Sequence, residues 1–466
     1  MSIKQRWVLV LTAIASLMVA LDVTVVSTAL STIRLHLSAS ITQLEWTVNA
    51  YGLSFAVLLM TGAALGDRFG RRRLFVGGLA LFAAASAACA LSPSVSWLIA
   101  ARALQGVGAA VITPTSLALL VEAFPPERRG QALGLFGAIT GLAVVGGPVV
   151  GGAVTQGLAW QWIFWLNVPI GLAAIPFVLR RMDESFGERS RVDSPGLVLV
   201  TGAALGLVWG LVRGNTAGWG SPEVLGMLLG GAALAVGFVA WELRARDPML
   251  PMRLFRSRAF ASGNAAVFLM FGSLFSAVFF MAQFLQTSLG ESPFHAGLQL
   301  IPWTGTVMII APIAGALVDR IGERPLLVGG LALQAAGFLW VALEARAGLP
   351  YSSMIAPLIL AGTGISAAIP AVQNAVMSAV APGEIGKASG TFSMARQLGG
   401  AFGLAIAVAV FTGAGSYLSP GAFSAGFAPA IGVSAALSLC GALAGAWAPM
   451  RRVAPAAAAL EGASVG

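Results

Sequence analysis

A chain of 466 residues has room for two or three soluble domains, but 58% hydrophobic and 10% charged residues, with a mean hydropathy of +0.87, exclude them. That balance describes a polytopic membrane protein, in which 58 Gly and 23 Pro suit closely packed, locally kinked helices rather than a solvated disordered chain. The net charge of +9 does not point to nucleic acid, because the basic residues fall in short loops between apolar runs.

The chain opens MSIKQR and stays apolar from Trp7 to about Leu30. This run is too long for a signal-peptide core and long enough to span, so it reads as an uncleaved first helix. Further helices are predicted over about 46–65, 74–91, 97–121, 131–155, 162–179, 195–212 and 223–241. The series continues over about 260–287, 297–318, 326–343, 352–376, 388–411 and 424–447. Each is near the ~20 residues that cross ~30 Å of hydrocarbon. An even number of spans puts both termini on one side. All but five of the 27 Lys and Arg residues fall on that side, among them Lys4, Arg6, Arg68, Arg71, Arg72, Arg73, Arg180, Arg189, Arg191, Arg451 and Arg452. Arg34, Arg213 and Arg346 fall opposite, and Arg102 and Arg396 lie within helices. The bias predicts cytoplasmic termini. His36 and His295 fall in predicted outer loops, away from any buried proton relay.

The sequence repeats itself. LGDRFGRRRL, Leu65 to Leu74, is matched by GALVDRIGER, Gly315 to Arg324, pairing Asp67 with Asp319, Arg68 with Arg320 and Gly70 with Gly322 at one constant offset. AFPPERRGQALG, Ala123 to Gly134, is matched by AVAPGEIGKASG, Ala379 to Gly390. The expected architecture is all-α: an N-terminal six-helix bundle over 1–180, two linker helices with their loops over 181–258, a C-terminal six-helix bundle over 259–450, and a short tail over 451–466. Same-sense repeats of this kind are related by an axis along the membrane normal.

LGDRFGRRRL resembles the loop signature of the major facilitator superfamily, between its second and third helices. RALQGVGAA from Arg102 resembles the family's fourth-helix motif, and GGPVVGG from Gly146 its fifth-helix drug-antiporter motif. LDVTVVSTAL from Leu21 and WQWIFWLNVPIG from Trp160 are similar to motifs of the fourteen-helix drug:proton antiporter branch, with departures at Ser27, Ser31 and Gln161. The resemblance implies the major facilitator fold and proton-coupled export of amphipathic, drug-like compounds by alternating access. The same residues leave two alternatives, a dedicated exporter of one metabolite, lipid or siderophore, and a non-transporting membrane sensor.

Asp22 is the only carboxylate expected deep in any helix, about eight residues from the outer end of the first. An ionised carboxylate at that depth must face a cavity, find a partner or take up a proton. Arg102 is near enough in depth to approach it, the bland alternative being a side chain that snorkels to the interface. The resemblance implies proton coupling for this pair, and Gln105 lies one turn below Arg102. By resemblance, Asp67 is expected to latch the two halves when the transporter faces outward, with Arg68 and Arg71 beside it in the same gating loop. Gly66 and Gly70 would permit the tight turn, Asp319 and Arg320 are its counterparts, and the N-terminus of the 388–411 helix is the expected partner. Gly147, Pro148, Gly151 and Gly152 fit a kinked, closely packed fifth helix. Candidate substrate contacts are Trp46, Asn49, Tyr51, Gln105, Asn264, Phe268, Phe280, Gln283, Gln286, Gln373 and Asn374, mixing adaptable apolar and polar groups. Arg396 and Gln397 read as a bracing polar pair.

No nucleotide loop, metal cluster or nucleophile triad is evident, and Cys89 and Cys440 lie in apolar runs. The expectation is a non-enzyme without cofactor, with protons as the coupling ion, the bilayer and small lipophilic or cationic substrates as partners, an oligomeric state left open and compatible with a monomer, and the bacterial cytoplasmic membrane as its place.

Overall fold

The computed structural model describes residues 1–187, 193–381 and 384–448, the side chains of residues 126, 127, 130 and 319 excepted. Arg189, Arg191, the tail 451–466 and the side chain of Asp319 thus lie outside the described residues. Within them, fourteen helices are long and apolar enough to cross a membrane. The first six are α1 (Ile3–Leu37), α2 (Ile41–Phe69), α3 (Arg71–Ala90), α4 (Val95–Ala123), α5 (Pro126–Gly157) and α6 (Trp162–Arg181). Two follow, α7 (Ser194–Ala217) and α8 (Pro222–Glu242). The last six are α9 (Arg258–Thr287), α10 (Pro293–Val318), α11 (Glu323–Glu344), α12 (Ser352–Met377), α13 (Ile385–Ala414) and α14 (Pro420–Ala446).

Several helices outrun the apolar stretches that announce them, because polar caps extend them. Ser2 accepts from the backbone N–H of Gln5 while the Gln5 side chain accepts from Ser2, and Ser40 with Gln43 repeats the arrangement. Ser292 caps α10 by accepting from the N–H of His295. His295, expected in a loop, therefore sits in a first turn, and His36 in the last turn of α1. Two spans are interrupted: α6 at Leu166, with Pro169 unable to donate back to the preceding turn, and α10 at Leu300 and Gly305.

The internal repeat returns in the packing. α1 packs on α5, α2 and α3 on α4, and α3 on α6; α9 packs on α13, α10 and α11 on α12, and α11 on α14. Small residues bring these helices together. A Cβ at Gly106 would collide with Ser54 and the Tyr51 carbonyl, and one at Gly403 with the backbone of Gly272.

The face that carries Ile3 is here the near face, and the opposite one the far face. The two halves close on each other at the far face. Gln286 donates to the Thr28 carbonyl at 2.9 Å, and the Phe294 N–H to Gln156 at 3.2 Å. Arg34 stands 4.0 Å over the Tyr417 ring, whose hydroxyl donates to Gln283. Burial keeps the Tyr417 phenol above its ordinary pKa, against the smaller opposing pull of Arg34, so it stays a donor. Gly152 meets Pro293 and Gly297 meets Pro148 so closely that neither glycine has room for a side chain. From Gly305 towards the near face, α10 makes only marginal contact with α5.

The central pair has a structural position of its own. α7 lies along the seam where α2 of the first half meets α13 of the second, sharing one apolar cluster with Leu53, Val57, Met394, Ala401 and Ala405. Trp209 packs on Trp46 at 5.6 Å, and Asn215 donates to Thr412 at 2.8 Å and to the Ala409 carbonyl. α8 leans on α7 and leaves Leu229 and Val236 largely exposed to the surroundings.

Candidate functional site

At the centre of the first half, Asp22 is 2% exposed and Arg102 1% exposed. Arg102 Nη1 donates to Asp22 Oδ2 and, at 2.7 Å, to Gln105 Oε1; its Nε donates to the Thr47 carbonyl at 3.1 Å. The other oxygen of Asp22 accepts from Gln105 Nε2 at 2.7 Å and from Asn167 Nδ2 at 3.2 Å. Both amides also donate to Ser86 Oγ at 3.0 Å, and Ser86 donates to the Phe164 carbonyl at 3.1 Å. Four spans thus converge on one carboxylate, and the Tyr51 ring lies 4.3 Å from the Arg102 guanidinium. Arg102 turns inward, which corrects the snorkelling alternative.

Sequence reasoning missed Asn167 and Ser86 as members of this network. Asn167 is the first residue after the interruption of α6, and an Asn two residues before a Pro in an apolar run was its available signal. Ser86 carries no such mark. Glu45, also overlooked, is a second buried carboxylate, though only about one turn into α2. Its Oε1 accepts from Asn49 at 3.1 Å, and its Oε2 has no partner among the described residues.

Between the halves lies a cavity of about 40 Å³, bounded by Ser27, Asn49, Tyr51 and Arg102 on one side and Phe275, Phe279 and Gln397 on the other. That volume holds two or three waters, not a drug-sized molecule. Arg102 therefore has two faces, one bonded to Asp22 and one on the cavity.

Among the substrate candidates, Asn49 and Tyr51 reach this cavity. Trp46 packs on α7, and Phe268 on Phe402 at 5.8 Å. Phe280 stacks on Phe411 at 5.1 Å, and Asn264 donates to the Phe260 carbonyl at 2.9 Å. Gln283 and Gln286 brace the far face rather than lining the cavity. Gln373 is exposed, and Asn374 donates to Glu323 at 3.0 Å near the opposite face, so the structure places both away from the cavity. The expected Arg396–Gln397 brace is also corrected. Gln397 bounds the cavity, while Arg396 makes no hydrogen bond or ion pair among the described residues.

The near-face loop forms a second polar cluster. Asp67 Oδ1 accepts from Arg71 Nε and Nη2, both at 2.8 Å, and Arg71 Nη1 reaches Glu122 at 2.9 Å. The segment after α6 folds into the loop. Glu184 accepts from the Arg72 N–H at 2.9 Å, and the Gly187 N–H donates to the Asp67 carbonyl at 3.1 Å. Gly70 has φ +107°, and a Cβ there would meet the Glu184 carboxylate. A Cβ at Gly66 would meet Thr115, so α2 and α4 touch here. Arg68 lies 5.2 Å from the Phe69 ring, and Arg320 is exposed. In this conformation Asp67 pairs within its own half, and the latch to α13 remains an expectation for the outward-facing state. On α5, a Cβ at Gly147 would strike Thr24, and one at Gly151 would strike Thr28 and the α1 backbone.

Fourteen helical spans among the described residues, with a packing repeat and a buried polar centre in the first half beside the junction, define a two-bundle membrane transporter class. The family model of the Major Facilitator Superfamily matches residues 12–404, and the chain belongs to that family. Among its relatives is the tetracenomycin C resistance and export protein of Streptomyces glaucescens, 36% identical over 84% of this chain and 73% of that protein. The puromycin resistance protein pur8 of Streptomyces alboniger is 34% identical over 88% and 82% of the two chains. The multidrug resistance protein Stp of Mycobacterium tuberculosis is 33% identical over 87% and 76%. The crystal structure of the POT family transporter PepTSo shares the fold, with a TM-score of 0.70 at 15% identity over 95% of this chain and 97% of that one.

Proposed function

We propose that the protein is a proton-driven exporter of small amphipathic compounds in a bacterial cytoplasmic membrane, with both termini in the cytoplasm. The observation that carries the coupling is the double bonding position of Arg102, which touches Asp22 on one side and the interbundle cavity on the other. A proton exchanged at Asp22 and a charge entering the cavity both act on this one arginine, so the occupancy of either place bears on the other. Asp22 is sealed in the conformation described, so its proton must enter when the Arg102 arm moves. The basic loops support a cytoplasmic near face, and the closed far face supports an inward-facing reading of this conformation. The relatives' names support drug-like cargo, and those named for one antibiotic favour a narrow range as a second reading.

One proton crossing 100 mV supplies ~2.3 kcal/mol, equivalent to a substrate gradient of roughly fifty-fold. Asp22→Asn, which keeps the shape of the network, is expected to abolish gradient-driven efflux in proteoliposomes while membrane insertion stays normal. Wild-type efflux from that variant removes Asp22 from the coupling step.

A further inference from the structure

Arg396 stands more than two turns into α13, inside the membrane-spanning part of the second half. It is partly buried, its Nε is shut off from surroundings and unpartnered, and among the described residues no carboxylate or carbonyl bonds any of its nitrogens. The Phe271 ring lies 5.7 Å away, and Tyr51 of the first half is near enough to interact with it electrostatically. One helical turn on, Gly400 bounds the interbundle cavity, as does Gln397 beside it. The guanidinium thus lies on the cavity side of α13, towards the near face.

Of the buried acids of the first half, Asp22 is fully engaged and Glu45 in part. Asp22 is matched by Arg102, Gln105 and Asn167, and Glu45 lies behind Asn49, which holds one of its oxygens. Arg102 is spoken for; Arg396 is not. A guanidinium is a planar fork of donors suited to a carboxylate or phenolate, and it keeps its charge whatever the surroundings.

We propose that Arg396 is the anion-recognition residue of the substrate pocket, so that the cargo carries an anionic oxygen, a carboxylate or phenolate, on an aromatic frame. Phe271 and Phe275, at 6.0 Å from each other, supply the apolar wall beside it. This rests on the exporter reading and replaces its expectation of cationic substrates with acidic ones.

Two dyes on one xanthene frame test it: fluorescein, anionic, and rhodamine 123, cationic. Purified full-length protein in phosphatidylcholine nanodiscs is expected to bind fluorescein more tightly. Arg396→Gln should reduce the fluorescein-to-rhodamine affinity ratio at least tenfold, and Arg396→Lys should retain much of it; the Lys variant keeps the test valid if the Gln variant fails to fold. An unchanged ratio in Arg396→Gln, or a wild-type preference for rhodamine 123, overturns the proposal. So does competitive displacement of fluorescein by added phosphatidylglycerol at low mole fraction, which would make a lipid headgroup the ligand. In proteoliposomes under a proton gradient, movement of rhodamine 123 alone defeats the anion assignment and leaves the exporter intact. Movement of neither dye, nor of any compound in a wider panel, defeats the exporter reading itself.

Discussion

Removing one member of a buried ion pair strands the other in a medium that does not solvate it. Arg102→Leu is therefore expected to cost about 3–5 kcal/mol of stability, since Asp22 keeps only two amide donors. Combining it with Asp22→Asn should recover a substantial part of that loss, which a thermal-melt double-mutant cycle would show as a non-additive term. If the two losses simply add, the pair is not coupled in the folded protein. At this scale the sequence was informative about the pair and nearly silent about its companions. An acid and an arginine inside apolar runs announce themselves by what isolation would cost. Ser86 and Asn167 are ordinary polar residues whose role depends on four spans meeting at one point. Glu184 was illegible for the same reason: it lies in a connection with no pattern, and its place beside Gly70 is set by how the chain folds back.

The helices themselves were legible, because apolar length is a local property and each span is close to the thickness it must cross. Their ends were less so. Ser40 with Gln43 sets a start that hydropathy places several residues later, and Ser292 draws His295 into a helix. Glycine content predicts close packing but not which glycines pack. On α5, a Cβ on Gly146 would meet nothing within 4 Å among the described residues, whereas one on Gly151 would meet Thr28 and the Val25 backbone. Gly151→Val should accordingly lower the melting temperature, by the equivalent of about 1–3 kcal/mol, and impair transport. Gly146→Ala is expected to change stability by no more than about 0.5–1 kcal/mol, in either direction. Equal effects of the two would place the α1–α5 contact elsewhere.

Across the whole molecule, transport requires the closed face to open. Gln156 and the Phe294 backbone meet there at 3.2 Å, one from each half. Cysteines at positions 156 and 294, in a chain whose Cys89 and Cys440 are replaced by Ser and Ala, should be joined by a short thiol cross-linker. Efflux should stop on cross-linking and return when a cleavable linker is reduced. Continued efflux from the linked protein would show that these ends stay together throughout the cycle. The repeat in the sequence anticipated the paired bundles, since matched loops need matched helices. It carried no information on α7 and α8, which have no counterpart elsewhere in the chain.

The seating of α7 between α2 and α13 makes the molecule two-sided in its dealings with lipid. One flank of the junction is walled by a packed helix, while the other, along α5 and the inner part of α10, is left ajar. A hydrophobic solute dissolved in the leaflet on the near-face side thus finds a lateral doorway between α5 and α10, and a bulky side chain planted there would screen passengers by girth before any charge inside could inspect them.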